Sequence, residues 1–203
     1  MSVKLIEVNI LTKIICVSNN KGGTGKTTLA IILAQMAIEA GVNLGICDLD
    51  DFQRDFIDGM QGQPCSILPN LNAVLTAQGK NLNDLIIVDT PPAKNPEKEK
   101  AIQHADVVLV PVSHTVRALV SATEIMKKHS EVGIVLNLPN PKASLERQII
   151  ATAGKYCDVY GIVPQYARIR NNLTTGEAWY TGLSDMQKDP YLKLMSKIMS
   201  KII

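Results

Sequence analysis

Short aliphatic runs alternate with longer helical patterns along most of this 203-residue chain. The aliphatic runs predict six strands, at residues 14–18, 44–47, 85–88, 107–112, 133–136 and 159–163. The stretches between them predict helices near residues 27–40, 51–59, 70–78, 96–104, 114–129, 143–153, 174–181 and 189–202. Strands that alternate with helices are typical of β-α units. The pattern therefore predicts an α/β fold, with a predominantly parallel central sheet and helices on both faces, in a single domain over residues 1–203.

Three acidic residues stand where predicted strands end. Asp48 and Asp50 follow the second strand, and Asp89 follows the third. In an open parallel sheet the carboxyl ends of the strands share one edge, where ligands bind. The loop after the first strand leaves the sheet at that same edge. The sequence therefore predicts that three carboxylates and this loop converge on one site.

The loop after the first strand has the composition of a phosphate-binding loop. It runs from Lys21 to Thr28 and reads K-G-G-T-G-K-T-T. Glycines let the main chain wrap closely, so that backbone N–H groups and a helix N-terminus point at a triphosphate. In such a loop Lys26 neutralises the β- and γ-phosphates and Thr27 places its hydroxyl on Mg²⁺. The predicted nucleotide-binding residues are Gly22, Gly23, Thr24, Gly25, Lys26, Thr27 and Thr28.

The loop departs from the general G-x-x-x-x-G-K-[ST] pattern, because Asn20 occupies the first glycine position and a second lysine, Lys21, follows it. This loop sequence resembles the deviant Walker A box of the ParA/MinD family of ATPases. The resemblance covers about residues 13–182 and implies the SIMIBI type of P-loop NTPase fold. It also implies an ATP-bound homodimer, in which Lys21 reaches the partner subunit's nucleotide and Lys26 acts on its own. Both lysines are therefore candidate catalytic residues.

The same resemblance assigns roles to the three acids. It implies that Asp89 and Asp48 hold Mg²⁺ together with Thr27, and that Asp50 orients the attacking water. The family usually reads D-x-D-P-Q here, whereas this chain has Asp-Asp-Phe-Gln from Asp50 to Gln53. Asp51 is therefore a competitor of Asp50 for the water.

Other stretches extend the resemblance. Residues 89–92 read D-T-P-P, like the start of the family's switch that senses the γ-phosphate, and the polar residues 93–100 suit a loop that reorders on hydrolysis. Asn137 and Pro164 follow strands at positions where family members contact the adenine, so both are candidate nucleotide-binding residues. The expected cofactors are ATP and Mg²⁺, and the expected activity is slow, Mg-dependent ATP hydrolysis that a partner stimulates.

Composition narrows the class of protein. There is no apolar run of eighteen residues and no signal-peptide pattern, so we expect a cytoplasmic protein. The four cysteines lack metal-site spacing, and none lies within 40 residues after Asp89. The lack of cysteines in this stretch argues against a reductase that would hold an iron–sulfur cluster between two subunits. Residues 142–203 carry nine basic and five acidic side chains, a local charge of +4, against a net charge of +2 for the whole chain.

The C-terminal segment bears on what the ATPase would bind. It predicts a helix capped by Asp189 with Pro190 in its first turn. An aliphatic series repeats every four residues beside a lysine series: Leu194, Ile198 and Ile202, against Lys193, Lys197 and Lys201. Three interpretations stay open for this helix: packing on the sheet with solvated lysines, contact with DNA phosphates helped by Arg168 and Arg170, or attachment to a membrane.

The resemblance implies two functions for such an ATPase. A ParA-type member binds DNA nonspecifically in its ATP state and positions plasmids, chromosomes or other cargo, with a nucleoid-associated location. A MinD-type member holds the membrane, which we expect less because Tyr191 is the only aromatic residue of the tail. The predicted core begins near residue 13, so we expect sequence-specific DNA recognition to come from a ParB-like or cargo-adaptor partner.

Overall fold

Seven parallel strands and eight helices make up the part of the chain that the structure, a computed structural model, describes: residues 11–51, 53–113, 116–138 and 142–202. The strands are β1 (Lys13–Val17), β2 (Leu44–Asp48), β3 (Ser66–Ile67), β4 (Leu85–Asp89), β5 (Val107–Val112), β6 (Val132–Leu138) and β7 (Val159–Pro164). The helices are α1 (Lys26–Glu39), α2 (Asp55–Gly59), α3 (Leu71–Gly79), α4 (Pro96–His104), α5 (Val116–Met126), α6 (Ser144–Tyr156), α7 (Ala167–Thr175) and α8 (Asp185–Ile202). The predicted α/β fold class and the six predicted strands are confirmed.

The sheet runs in the order β3-β2-β4-β1-β5-β6-β7, with every pair parallel. The chain leaves β1 toward β2 on one side, and it leaves β4 toward β5 on the other. The carboxyl ends of β1 and β4, which are neighbours, therefore flank the crevice at which α/β sheets bind ligands. This topology places the loop after β1 beside Asp89, the last residue of β4.

Alternate residues of the central strands enter two hydrophobic cores, one on each face of the sheet. One core holds α1, α2, α7 and α8 against residues such as Ile15 and Ile87. The other holds α3, α4, α5 and α6 against residues such as Cys16 and Val88. Because both faces are covered, the strands read as continuous aliphatic runs without polar alternation.

The helix predicted over residues 174–181 is wrong, and the helix in this region is α7. Gly176 ends α7 with a φ of 76°, a left-handed conformation that glycine adopts without a Cβ penalty. The side-chain amide of Asn172 then donates hydrogen bonds to the carbonyls of Ala178, Trp179 and Thr181, which holds the following residues in turns.

Helix α8 begins at Asp185, so the predicted cap at Asp189 is also wrong. The backbone N–H and the hydroxyl of Ser184 both donate to the side-chain oxygen of Gln187, which is one half of a capping box, and Pro190 lies inside the helix. Other helix bounds shift by a few residues from the predictions. Parts of two predicted helices, at Phe52 and at residues 114–115, lie outside the described residues. The two-residue edge strand β3 was not predicted.

Candidate functional site

The loop between β1 and α1 has the backbone of an anion-binding turn. Gly23 and Gly25 have φ values of 70° and 90°, in the left-handed region that other residues rarely adopt. A Cβ on Gly25 would also collide with the side-chain amide of Asn137. Among the described residues no side chain caps the first turn of α1, so its N–H groups are directed at the space above the loop.

Hydrogen bonds hold this loop in place. The side-chain amide of Asn19 donates to the carbonyl of Pro111 (2.9 Å), and its oxygen accepts from the backbone N–H of Lys21 (3.0 Å). The Thr24 hydroxyl contacts the carbonyl of Lys21 (3.4 Å). The carbonyl of Thr24 accepts from the Asn137 amide (3.2 Å). These contacts hold the loop in one conformation, which lowers the cost of ordering it around a ligand.

The two lysines of the loop differ in their surroundings. Lys26, at the start of α1, is only 7% exposed, whereas Lys21 is half-buried. Burial lowers the pKa of Lys26, and the negative charges of Asp89 and Asp50 oppose that shift. A triphosphate above the loop would supply the anion that favours the charged form of this buried ammonium.

Asp48 and Asp89 lie side by side, because β2 and β4 pair in register at these two residues. The Thr27 hydroxyl donates to Asp89 (2.6 Å), and the backbone N–H of Thr90 donates to its other oxygen (2.9 Å). Burial and, to a smaller extent, the Asp48 charge raise the pKa of Asp89 to about 7. The hydrogen bond from Thr27 opposes this shift. Asp48 accepts from the N–H groups of Asp50 (3.0 Å) and Phe56 (3.1 Å), while burial raises its pKa.

This donor set fits Mg²⁺. The ion prefers oxygen ligands and keeps several waters, so one or two carboxylates beside a triphosphate suffice. A hydroxyl and a carboxylate already in contact, with a second carboxylate on the next strand, meet that requirement. Among the described residues, no group of three or more His, Cys, Asp or Glu side chains forms a metal cage of its own. A divalent cation here would favour the ionised form of Asp89.

The adjacent acids after β2 face different surroundings. Asp50 is half-buried, its carboxylate accepts from the backbone N–H of Gln53 (3.2 Å), and its charge acts on Lys26. Asp51 is exposed. The structure therefore places Asp50, rather than Asp51, toward the phosphate loop.

A cleft of about 270 Å³ continues from the loop toward β6 and β7. The walls include Gly25, Asn137, Gln165, Tyr166 and Arg170. Asn137 lies inside β6 rather than after it and lines this cleft, and its contact with the adenine stays a prediction. The wall near β7 is formed by the neighbours of Pro164, whose carbonyl accepts the Tyr191 hydroxyl (2.5 Å). Gln165 and Tyr166, which follow Pro164 directly, were missed, although their position after a predicted strand was a usable signal.

Lys98 is a second residue that the sequence did not single out. It lies on α4 in a polar segment that reads as a solvated surface, yet it is fully buried. Its ammonium donates to the carbonyls of Pro91 (2.8 Å) and Asn19 (3.2 Å). Burial, and then the nearby Lys26 charge, lowers its pKa to about 8.

The C-terminal helix packs its aliphatic series into the core. Leu194, Ile198 and Ile202 are all buried there. The lysine series faces outward in ion pairs, Lys193 with Asp189 (2.7 Å) and Lys197 and Lys201 with Asp158 (3.5 and 3.7 Å). The packing interpretation of this helix is therefore the one that the structure supports. Across the described residues, no helix has the length and apolar character needed to cross a bilayer.

Known proteins resemble this chain in sequence and in structure. A family model described as an AAA domain matches residues 12–83. The chromosome-partitioning ATPase Soj of Thermus thermophilus is 24% identical over 241 aligned positions, which cover 93% of this chain and 96% of Soj.

Solved structures share the fold at low sequence identity. The AMPPNP complex of a plasmid partition protein from Borrelia burgdorferi has a TM-score of 0.74 at 16% identity, covering 94% of this chain and 99% of its own. The Mg-ADP complex of the septum site-determining protein MinD from Pyrococcus horikoshii has a TM-score of 0.72 at 17% identity, covering 92% of this chain and 96% of the MinD chain. The chain thus shares the fold of these ATPases, and its similarity to Soj, together with the two-lysine loop, supports the predicted resemblance to the ParA/MinD family.

Proposed function

We propose that this protein is an ATP hydrolase that dimerises with ATP, binds DNA nonspecifically in that state, and positions plasmid, chromosome or other cargo. The observation that carries the proposal is the crevice between β1 and β4. There a preformed phosphate loop, a buried Lys26 and the Thr27–Asp89 pair converge. Soj and the Borrelia protein, to which the chain is similar, are named for chromosome and plasmid partitioning, which supports the choice of cargo.

The residues divide the work of hydrolysis between them. Backbone N–H groups of residues 22–28 bind the phosphates, Lys26 balances charge on the β- and γ-phosphates, and Asp50 orients the attacking water. Mg²⁺, held by Thr27, Asp48 and Asp89, supplies charge neutralisation at the transferred phosphoryl group. Lys21 completes the site of the partner subunit. Because little covalent chemistry is needed, nucleotide state chiefly sets whether two subunits stay together.

The proposal favours DNA over membrane as the surface that the dimer binds. A membrane helix must expose its apolar face, whereas Leu194, Ile198 and Ile202 are buried against the sheet. Arg168 and Arg170 on α7 are exposed and belong to the basic C-terminal third. A ParB-like or cargo-adaptor protein would stimulate hydrolysis and link the dimer to its cargo, and nucleoid association would follow from DNA binding.

Co-sedimentation and turnover test the function together. Protein with ATP or ADP is pelleted with DNA and, separately, with anionic liposomes, and hydrolysis is measured with and without DNA across a salt series. We expect DNA pelleting with ATP only. Three to five phosphate contacts give a log–log salt slope of roughly −3 to −4.5. ATP-dependent pelleting with liposomes and not with DNA would overturn the proposal in favour of a MinD-like membrane function.

A further inference from the structure

Lys98 is a buried cation in a place where an apolar side chain would be less costly. It is fully buried, and none of the salt bridges among the described residues includes it. Burying an ammonium carries a large desolvation penalty unless hydrogen bonds or charges compensate it. Two backbone carbonyls provide that compensation here. The contacts therefore indicate what the cation does.

The two carbonyls belong to the two segments that flank the nucleotide site. The carbonyl of Asn19 belongs to the β1–α1 connection that contains the phosphate loop, two residues before Lys21. The carbonyl of Pro91 lies two residues after Asp89. Residues 90–95, from the end of β4 to the start of α4, are here called the switch segment. One ammonium thus bridges the phosphate loop and the switch segment.

The switch segment is fastened to the site at further points. The Thr90 hydroxyl donates to the carbonyl of Val17 at the end of β1 (3.0 Å). At the outer surface Glu124 of α5 accepts from the Asn20 amide (3.2 Å) and pairs with Lys94 (2.8 Å). The side chain of Asn95 caps α4 by accepting from the backbone N–H of Lys98 (2.7 Å). Any displacement of the switch segment relative to the loop must therefore alter the Lys98 contacts.

We propose that Lys98 is a positioning residue that couples the phosphate loop to the switch segment, so that the protein distinguishes a nucleoside triphosphate from a diphosphate. This inference rests on the proposed function. The backbone N–H groups of the loop bind the phosphates that ADP and ATP share, and Lys26 contacts the β-phosphate of both nucleotides. The switch segment adds to the affinity only when a third phosphate is present. Lys98 holds the switch segment in the conformation in which the segment responds to the third phosphate.

Nucleotide affinities of matched variants test the coupling. Lys98→Met removes the charge and keeps the length of the buried side chain, and Lys100→Met makes the same change at an exposed position of α4. Dissociation constants for AMPPNP and for ADP are measured by calorimetry with Mg²⁺. We expect Lys98→Met to weaken AMPPNP binding about tenfold, as the loss of about 1.4 kcal/mol would, and to change ADP binding less than about twofold. Lys100→Met should change neither.

A purely structural role predicts a different result. If Lys98→Met weakens both nucleotides by one factor, or neither, the coupling proposal is overturned. Wild-type protein that binds neither nucleotide would overturn the proposed function itself, and this outcome appears before any variant is compared.

Hydrogen exchange on the wild-type protein covers the case in which Lys98→Met does not fold. The amides of Thr90, of residues 93–95, and of Glu97 and Lys98 should be more protected with AMPPNP than with ADP. Equal protection in the two states would overturn the coupling.

Discussion

At the scale of single residues, two neighbouring acids after β2 show how burial separates roles that the sequence leaves open. Asp50 is half-buried and its negative charge raises the pKa of Lys26, whereas Asp51 is exposed. A carboxylate that orients water must lie within hydrogen-bonding reach of the reacting phosphate, directly or through one water. Of the two residues, Asp50 is the one whose charge acts on Lys26, so the proposed function assigns the attacking water to Asp50.

Substitution of each acid tests this assignment. We expect Asp50→Ala to lower ATP turnover by about a hundredfold or more, the usual contribution of a positioned general base, while ATP-driven dimerisation persists. The matched variant Asp51→Ala should keep turnover within about twofold of wild type. Steady-state phosphate release and analytical ultracentrifugation with ATP provide the two measurements. Full hydrolysis by Asp50→Ala would remove that residue from the mechanism.

The residue scale also shows where sequence patterns mislead. Lys98 stands in a stretch of alternating charges that reads as a solvated helix face, because its neighbours Glu97, Glu99 and Lys100 are charged as well. Its burial depends on how α4 packs beside β1 and on two carbonyls from distant segments. Hydrophobic periodicity contains no information about such long-range partners.

At the scale of elements, the lysine and aliphatic series of α8 have different partners. The aliphatic residues fill the core beside β7, and Lys197 and Lys201 pair with Asp158 at the surface. A helix whose apolar face already stabilises the domain cannot insert that face into a bilayer without giving up the packing energy.

A truncation in this helix tests the packing. Ile198 is fully buried, so we expect Ile198→Ala to lower the free energy of unfolding by about 2–5 kcal/mol. Leu192→Ala, on the same helix at a side chain that is 55% exposed, should cost less than about 1 kcal/mol. Urea denaturation followed by circular dichroism measures both. An Ile198→Ala protein as stable as wild type would mean that α8 does not belong to the core.

Residues that commonly begin or end helices predicted the helix bounds of this chain with uneven success. The predicted start of α8 relied on Asp189 and Pro190, but the capping contact of Ser184 and Gln187 begins the helix four residues earlier. The predicted helix over 174–181 ignored Gly176, a residue that commonly ends helices. Capping signals are short and recur by chance, so tertiary packing decides which of them act.

At the scale of the whole molecule, the resemblance of the two-lysine loop to the ParA/MinD family predicts different roles for two side chains five residues apart. Lys26 is buried beside Asp89 within its own subunit. Lys21 is half-buried at the outer part of the loop, a position compatible with a contact to the partner's nucleotide. The two lysines should therefore separate binding from association.

Alanine variants of each lysine test that separation. Lys26→Ala should weaken ATP binding by about a hundredfold or more, since a desolvated charge contact is worth about 3 kcal/mol. Lys21→Ala should bind ATP within about fivefold of wild type but stay monomeric. Calorimetry and size-exclusion chromatography with light scattering distinguish the two. A Lys21→Ala protein that dimerises normally with ATP would contradict the proposed arrangement.

The sequence by itself determined the parallel α/β fold, the phosphate loop and the edge of the sheet at which the site lies. It could do so because burial on both faces imposes aliphatic strands, because left-handed turns favour glycine, and because parallel strands end at one edge. Only the tertiary structure decided the order of the strands, the register that sets Asp48 beside Asp89, and the walls of the cleft. It alone also decided the burial of Lys98 between two carbonyls. These features depend on contacts between residues far apart in the chain, which no local pattern of side chains specifies.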